Sequence, residues 1–217
     1  MKWLITAAVV IIIGALVWFF TPVKNLFNRA APTPQAQTNT EPELQSYTNS
    51  ALGISIKYPS GYTLNPSWQN TSVVPTKPIS GIQLTIPGSM ATGTNLSEDT
   101  YLSVEQLPRA KVCSGDIFMA QNAIARDVVD NGVTYSVAST TGAAVGNRYE
   151  ETVWAIKGSS PCTAVRYMVH YGAFENYGPG TIVEFNRTAL TNAFDQIRHS
   201  VTLGATAAPT ATTTTTQ

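Results

Sequence analysis

The chain has 217 residues, 13 basic and 13 acidic side chains, and only 12% charged residues, about half the usual ~25%. Once an apolar start, a Pro/Thr/Gln-rich segment and a Thr-rich end are set aside, residues 44–203 remain, enough to bury roughly 70% of their unfolded surface as one domain. That core holds ten basic and eleven acidic residues and no basic stripe for phosphates, which disfavours nucleic acid as a partner.

From Trp3 to Phe20 the sequence WLITAAVVIIIGALVWFF carries no charge. At ~1.5 Å per residue it reaches ~27 Å, close to a ~30 Å hydrocarbon core. Trp3 at one end and Trp18, Phe19 and Phe20 at the other suit the two interfaces, and Pro22 ends the helix. Residues 1–22 are therefore predicted to be a transmembrane signal-anchor. A cleaved signal peptide is the competing reading, but its apolar region runs to only ~7–15 residues, and Arg29-Ala30-Ala31 before Pro32 is a poor cleavage site. No Cys lies nearby to take a lipid. Lys2 and the α-amino group nearly balance Lys24 and Arg29, so the positive-inside count leaves the side open. A cytoplasmic N-terminus and an extracytoplasmic domain are expected instead from the C-terminal position of everything foldable, the cysteine pair and the Thr/Pro-rich flanks. Residues 23–43 read as a linker; its Ala31–Glu43 part, extended at ~3.1 Å per residue, spans up to ~40 Å. Residues 204–217 lack core-forming side chains and read as a disordered tail.

Within the domain, period-two alternation dominates. Ile54, Ile56 and Tyr58 mark a strand stopped by Pro59. Ile82, Leu84 and Ile86 mark another, closed by Pro87-Gly88, and Tyr101 to Gln106 a third. Asn131-Gly132 suits a type I′ turn, so Ala123–Val129 and Val133–Ala138 are predicted to pair as a hairpin. Arg148–Ile156 and Cys162–Tyr171, joined by a turn-like Lys157–Pro161, read as a second hairpin. A short helix is expected within Cys113–Gln121. Asn186 can cap a helix whose Leu190, Phe194 and Ile197 share one face, and Val201 with Leu203 reads as a closing strand. The fold class is α+β: an antiparallel sheet of six or seven strands flanked by a few helices.

Two end segments carry a resemblance. Gly53-Ile54-Ser55-Ile56-Lys57-Tyr58-Pro59-Ser60-Gly61-Tyr62 resembles the opening of PsbP-like domains. Phe194-Asp195-Gln196-Ile197-Arg198-His199-Ser200-Val201-Thr202-Leu203 resembles their closing helix and strand. Between them, GNRYEETVWAI, CTAVRYMVHY and FENYGPGTIVEF are similar to stretches of membrane-anchored bacterial proteins. The resemblance implies an α/β/α-like sandwich and no activity, because that group shares no catalytic set to carry over.

Several groups are candidates for chemistry. In an extracytoplasmic domain Cys113 and Cys162 read as a disulfide; free thiols or zinc ligands are the alternatives, and the absence of Cys-x-x-Cys with only two histidines weighs against zinc. His170 shares a strand face with Cys162, Ala164, Arg166 and Met168, while Thr163, Val165, Tyr167, Val169 and Tyr171 read as the core face. A base needs a partner within ~3 Å, and none is visible from sequence. His199 at a helix C-terminus suits the dipole. Glu150 and Glu151 point to opposite faces and so do not form a catalytic pair, whereas Arg166 is expected to pair with Glu150 across the hairpin. The Tyr171–Gly180 stretch, with Phe174 and Tyr177, has the composition of a recognition loop. No catalytic, cofactor or metal site is expected. The reading is a membrane-anchored, non-enzymatic binding or assembly module at the cell envelope, with an envelope protein as partner. A hydrolase using His170 as base, or a small-ligand binder, is the alternative.

Overall fold

A computed structural model describes residues 43–204, all within one compact unit that begins at Pro42. The expected anchor (1–22) and all but one residue each of the linker (23–43) and the tail (204–217) lie outside the described residues. Among the described residues no helix is long and apolar enough to cross a membrane.

The strands are β1 (Leu44–Asn49), β2 (Ile54–Pro59), β3 (Thr63–Asn70), β4 (Ile79–Thr85), β5 (Tyr101–Leu107), β6 (Arg126–Asp130), β7 (Val133–Ala144), β8 (Asn147–Ile156), β9 (Cys162–Gly172) and β10 (Thr202–Leu203). A one-turn helix α1 (Gly88–Ala91) follows β4, and α2 (Arg187–His199) precedes β10. The strands build two sheets instead of one. Seven form an antiparallel sheet in the order β3-β4-β5-β9-β8-β7-β6, and three form a small sheet in the order β1-β2-β10.

Both faces of the large sheet are covered. On one, Ile82, Leu84, Leu102, Val104 and Val165 pack against Ile54 and Ile56 of the small sheet and Leu190, Phe194 and Ile197 of α2. Phe194 is fully buried; cutting such a side chain to Ala costs about 3–5 kcal/mol. The helix starts where the sequence placed it, since the Asn186 side chain accepts from Ala189 N at 3.0 Å. On the other face, Val153, Ala155, Cys162 and Ala164 lie beneath Phe118 and Met119 of the loop joining β5 to β6. That loop contains a short 3-10 turn, Gly115–Phe118. A disulfide between Cys113 and Cys162, with Cα atoms 5.1 Å apart, holds it to β9. Gly115 is pressed so close that an added Cβ would lie 2.7 Å from Ala138 N.

The face of β9 expected to be exposed is therefore buried at Cys162, Ala164 and Arg166. The alternation that marked the other face as core missed the covering loop, which has no strand or helix period of its own. Both hairpins form, the first with Asn131 and Gly132 at φ 49° and 77°. Its first strand begins at Arg126, later than the expected Ala123. At one edge of the sheet β3 contains Pro66 and a register shift between Asn65 and Trp68. Proline and bulges are features of edge strands, where they discourage pairing with another chain.

Candidate functional site

The β7–β8 turn is one corner of the domain, and its geometry is unusual. Val145 has φ 49°, followed by Gly146 at φ 81°, so a β-branched residue occupies the left-handed region that type I′ turns normally fill with Asn or Gly. Its side chain is fully exposed, so no burial offsets the strain. The conformation is held from behind. Gly146 O accepts from Ala173 N at 2.8 Å and from Asn176 Nδ2 at 3.1 Å.

Ala173 precedes and Asn176 ends the second 3-10 turn, Phe174–Asn176, in the segment that composition marked as a recognition loop. Phe174 and Tyr177 are 43% and 41% exposed. A Cβ added to Gly172 would lie 2.3 Å from the Tyr177 hydroxyl, so the ring packs against bare backbone. Tyr171 turns the other way and packs on Phe185 at 5.2 Å. The corner thus gathers Val145, Phe174 and Tyr177 on supports that are themselves hydrogen-bonded.

His170 is one of those supports. Its Nδ1 faces Asp99 Oδ1 at 2.7 Å and its Nε2 faces Asn147 Oδ1 at 3.1 Å. Its ring stacks on Tyr149 with centroids 4.4 Å apart. Asp99 is the acidic partner that sequence did not reveal. It comes from the β4–β5 connection, 71 residues away, and no local pattern links the two. A general base needs a ring nitrogen with a free lone pair toward substrate. Here Nε2 meets the Asn147 side chain, and Asn147 is the first residue after the strained turn. The imidazole braces the corner.

Below the corner, Tyr149, Glu151, Met168 and the Gly142–Ala144 backbone line a hollow of about 320 Å³. Glu151 belongs to a buried network. Arg166, about 1% exposed, pairs with Glu105 at 2.8 Å and also with Glu151. Asn70 Nδ2 donates to both Glu105 oxygens, each at 3.1 Å, and Ser103 Oγ donates to one at 2.7 Å. The expected Arg166–Glu150 pair does not form. In the register Arg166 stands opposite Val153 and Glu150 opposite Val169, which places Glu151 on the arginine's face as a diagonal neighbour. Glu150, on the far face, accepts from the Tyr171 hydroxyl at 2.6 Å and pairs with Arg187.

At the C-terminus of α2, Arg198 lies 3.9 Å above the Trp154 ring and bonds Asp195, the Tyr167 hydroxyl and Asp130. His199 Nε2 lies 2.8 Å from the same Asp130. These two partners hold the Asp130 carboxyl down at about 2, the histidine hydrogen bond weighing most. Burial pushes the Tyr167 phenol well above the usual tyrosine range. Among the described residues no cluster of His, Cys, Asp and Glu is suited to a metal.

At the opposite end of the sheet lies an open groove of about 670 Å³. Leu107, Ala110, Val112 and Ile117 give it an apolar floor, with Pro78 and Pro108 at the strand ends. Lys77, Arg109 and Lys111 line its rim. The sequence did not single it out, because its apolar residues are scattered through a loop without periodicity.

No protein-family model matches the chain, and no curated protein matches it. Among solved structures the chain is similar to the solution structure of cyanobacterial PsbP (CyanoP) from Synechocystis sp. PCC 6803. There the identity is 16% and the TM-score 0.40, over 80% of this chain and 100% of that one. A second similar structure, a crystal structure from Bacteroides thetaiotaomicron VPI-5482, has 9% identity and a TM-score of 0.43 over 74% of this chain. The chain spans about half of that protein's length, 48%.

Proposed function

We propose that this chain is a non-enzymatic binding or assembly module, held at the cell envelope by the helix of residues 1–22. The domain stands on the extracytoplasmic side, and the corner of Val145, Phe174 and Tyr177 meets a protein partner. The observation that carries the reading is the fully exposed valine at positive φ. Left-handed backbone costs a non-glycine residue about 1–2 kcal/mol, and such strain gathers at sites where a fixed shape is used. Two half-exposed rings beside it supply the rigid aromatic surface that dominates contact energies.

A photo-crosslinking residue in place of Tyr177 tests the contact in intact cells, with Val129 as control, since it is also exposed (72%) but lies on edge strand β6. A discrete adduct from position 177 alone is expected; equal or absent capture at both positions would overturn the surface. The side of the membrane is tested separately. After mild reduction an impermeant thiol reagent is expected to label Cys113 in intact cells, and labelling only after lysis would reverse the orientation.

A further inference from the structure

We infer that the groove at the far end of the sheet is a second docking surface, for an acidic protein segment that also carries apolar side chains. It rests on different residues from the corner and stands or falls separately.

Charge complementarity selects the occupant. Lys77, Arg109 and Lys111 border the groove and no Asp or Glu lines it. Among the described residues none of the three forms an ion pair. The acid adjoining Ile117 is Asp116, and it is held by the Ser114 hydroxyl. Three exposed cations around an apolar floor, with Val112 70% exposed, match a chain that alternates negative and apolar side chains. An enclosed pocket would bury most of a small ligand; this groove is open and better suits a length of polypeptide.

The groove and Glu43, the first described residue, lie at different ends of the domain. The linker joins at Glu43, whose carbonyl accepts from Ser60 N at 2.8 Å. Leu107 of the groove follows Gln106, whose Nε2 donates to the Leu52 carbonyl at 2.9 Å. Strand β2 runs between those ends, and its six residues at ~3.3 Å each separate them by ~20 Å. The floor is also preformed: Pro78 and Pro108 stiffen the strand ends, and the disulfide at Cys113 follows directly on Val112. A preformed surface spends less binding energy on ordering.

The test uses the full chain in phosphatidylcholine nanodiscs, with methyl NMR and three synthetic peptides: alternating Glu/Leu, alternating Lys/Leu and alternating Glu/Ser. The Glu/Leu peptide is expected to shift the methyls of Leu107, Val112 and Ile117 and to bind more weakly as salt screens the charges. The K77E/R109E/K111E variant is expected to bind it at least about tenfold more weakly, with the core methyls of Val104 and Val165 unmoved as the check on folding. Equal binding of the Lys/Leu or the Glu/Ser peptide would overturn the inference, as would no shift at all. So would the same methyl shifts in phosphatidylglycerol nanodiscs without peptide, which would assign the groove to lipid headgroups. Crosslinking from position 177 is expected to survive the triple reversal, so failure here leaves the corner untouched.

Discussion

Two arginines, Arg166 and Arg198, have side chains about 1% exposed and lie on opposite faces of the large sheet. Arg166 is fixed by Glu105, which has no other cation. Replacing Arg166 by Met strands a buried carboxylate and is expected to cost about 3–5 kcal/mol in urea unfolding. The R166M/E105M pair should recover most of that loss, and an equally unstable double variant would contradict the pairing. Near Arg198, Asp130 has a depressed pKa, so its contribution is present above the unfolded value of 3.8 and lost as pH falls toward about 2. Wild type should lose stability relative to D130N between about pH 4 and pH 2, and parallel acid-unfolding curves would contradict this. The turn residue gives the reverse prediction. V145N relieves the left-handed strain and should raise stability by about 1 kcal/mol, while weakening capture from position 177. A less stable V145N would remove the strain from the explanation.

The loop from Pro108 to Ala125 is the element on which most of the domain's second face depends. It has little regular structure, yet it buries Phe118 fully and closes the network around Arg166, which donates to Phe118 O at 2.6 Å. Replacing both Cys113 and Cys162 by Ser removes a closure 49 residues apart in sequence, worth up to about 4 kcal/mol on a chain-entropy model. A midpoint unchanged from the oxidised wild type would show that packing alone holds the loop. The same element marks the limit of what sequence could show. The two hairpins, the capped helix and the closing strand were legible because turn chemistry and side-chain period act locally. Strand β1, LQSYTN, is mostly exposed and offers no apolar alternation, and β3 is interrupted by Pro66, so neither was visible. Of the corner, Phe174 and Tyr177 could be read from composition. Val145 and Asp99 could not, because a backbone angle and a contact 71 residues apart leave no trace in local pattern.

At the scale of the whole molecule, the domain has two unlike ends. One receives the chain at Glu43; the other holds the groove, beside the Leu107–Cys162 end of β5 and β9, and Gly204, whose N donates to Gly53 O at 2.8 Å. A scaffold with both sheet faces covered and its polar clusters largely satisfied internally is well suited to presenting surfaces, and the corner is the surface whose shape costs the most to maintain. Hydrogen exchange tests that claim most directly, with the full chain compared in native membranes and after purification into nanodiscs. Slower exchange confined to the amides of 144–147 and 172–178 in native membranes is the expected result. Identical exchange there in both preparations would contradict a partner at the corner.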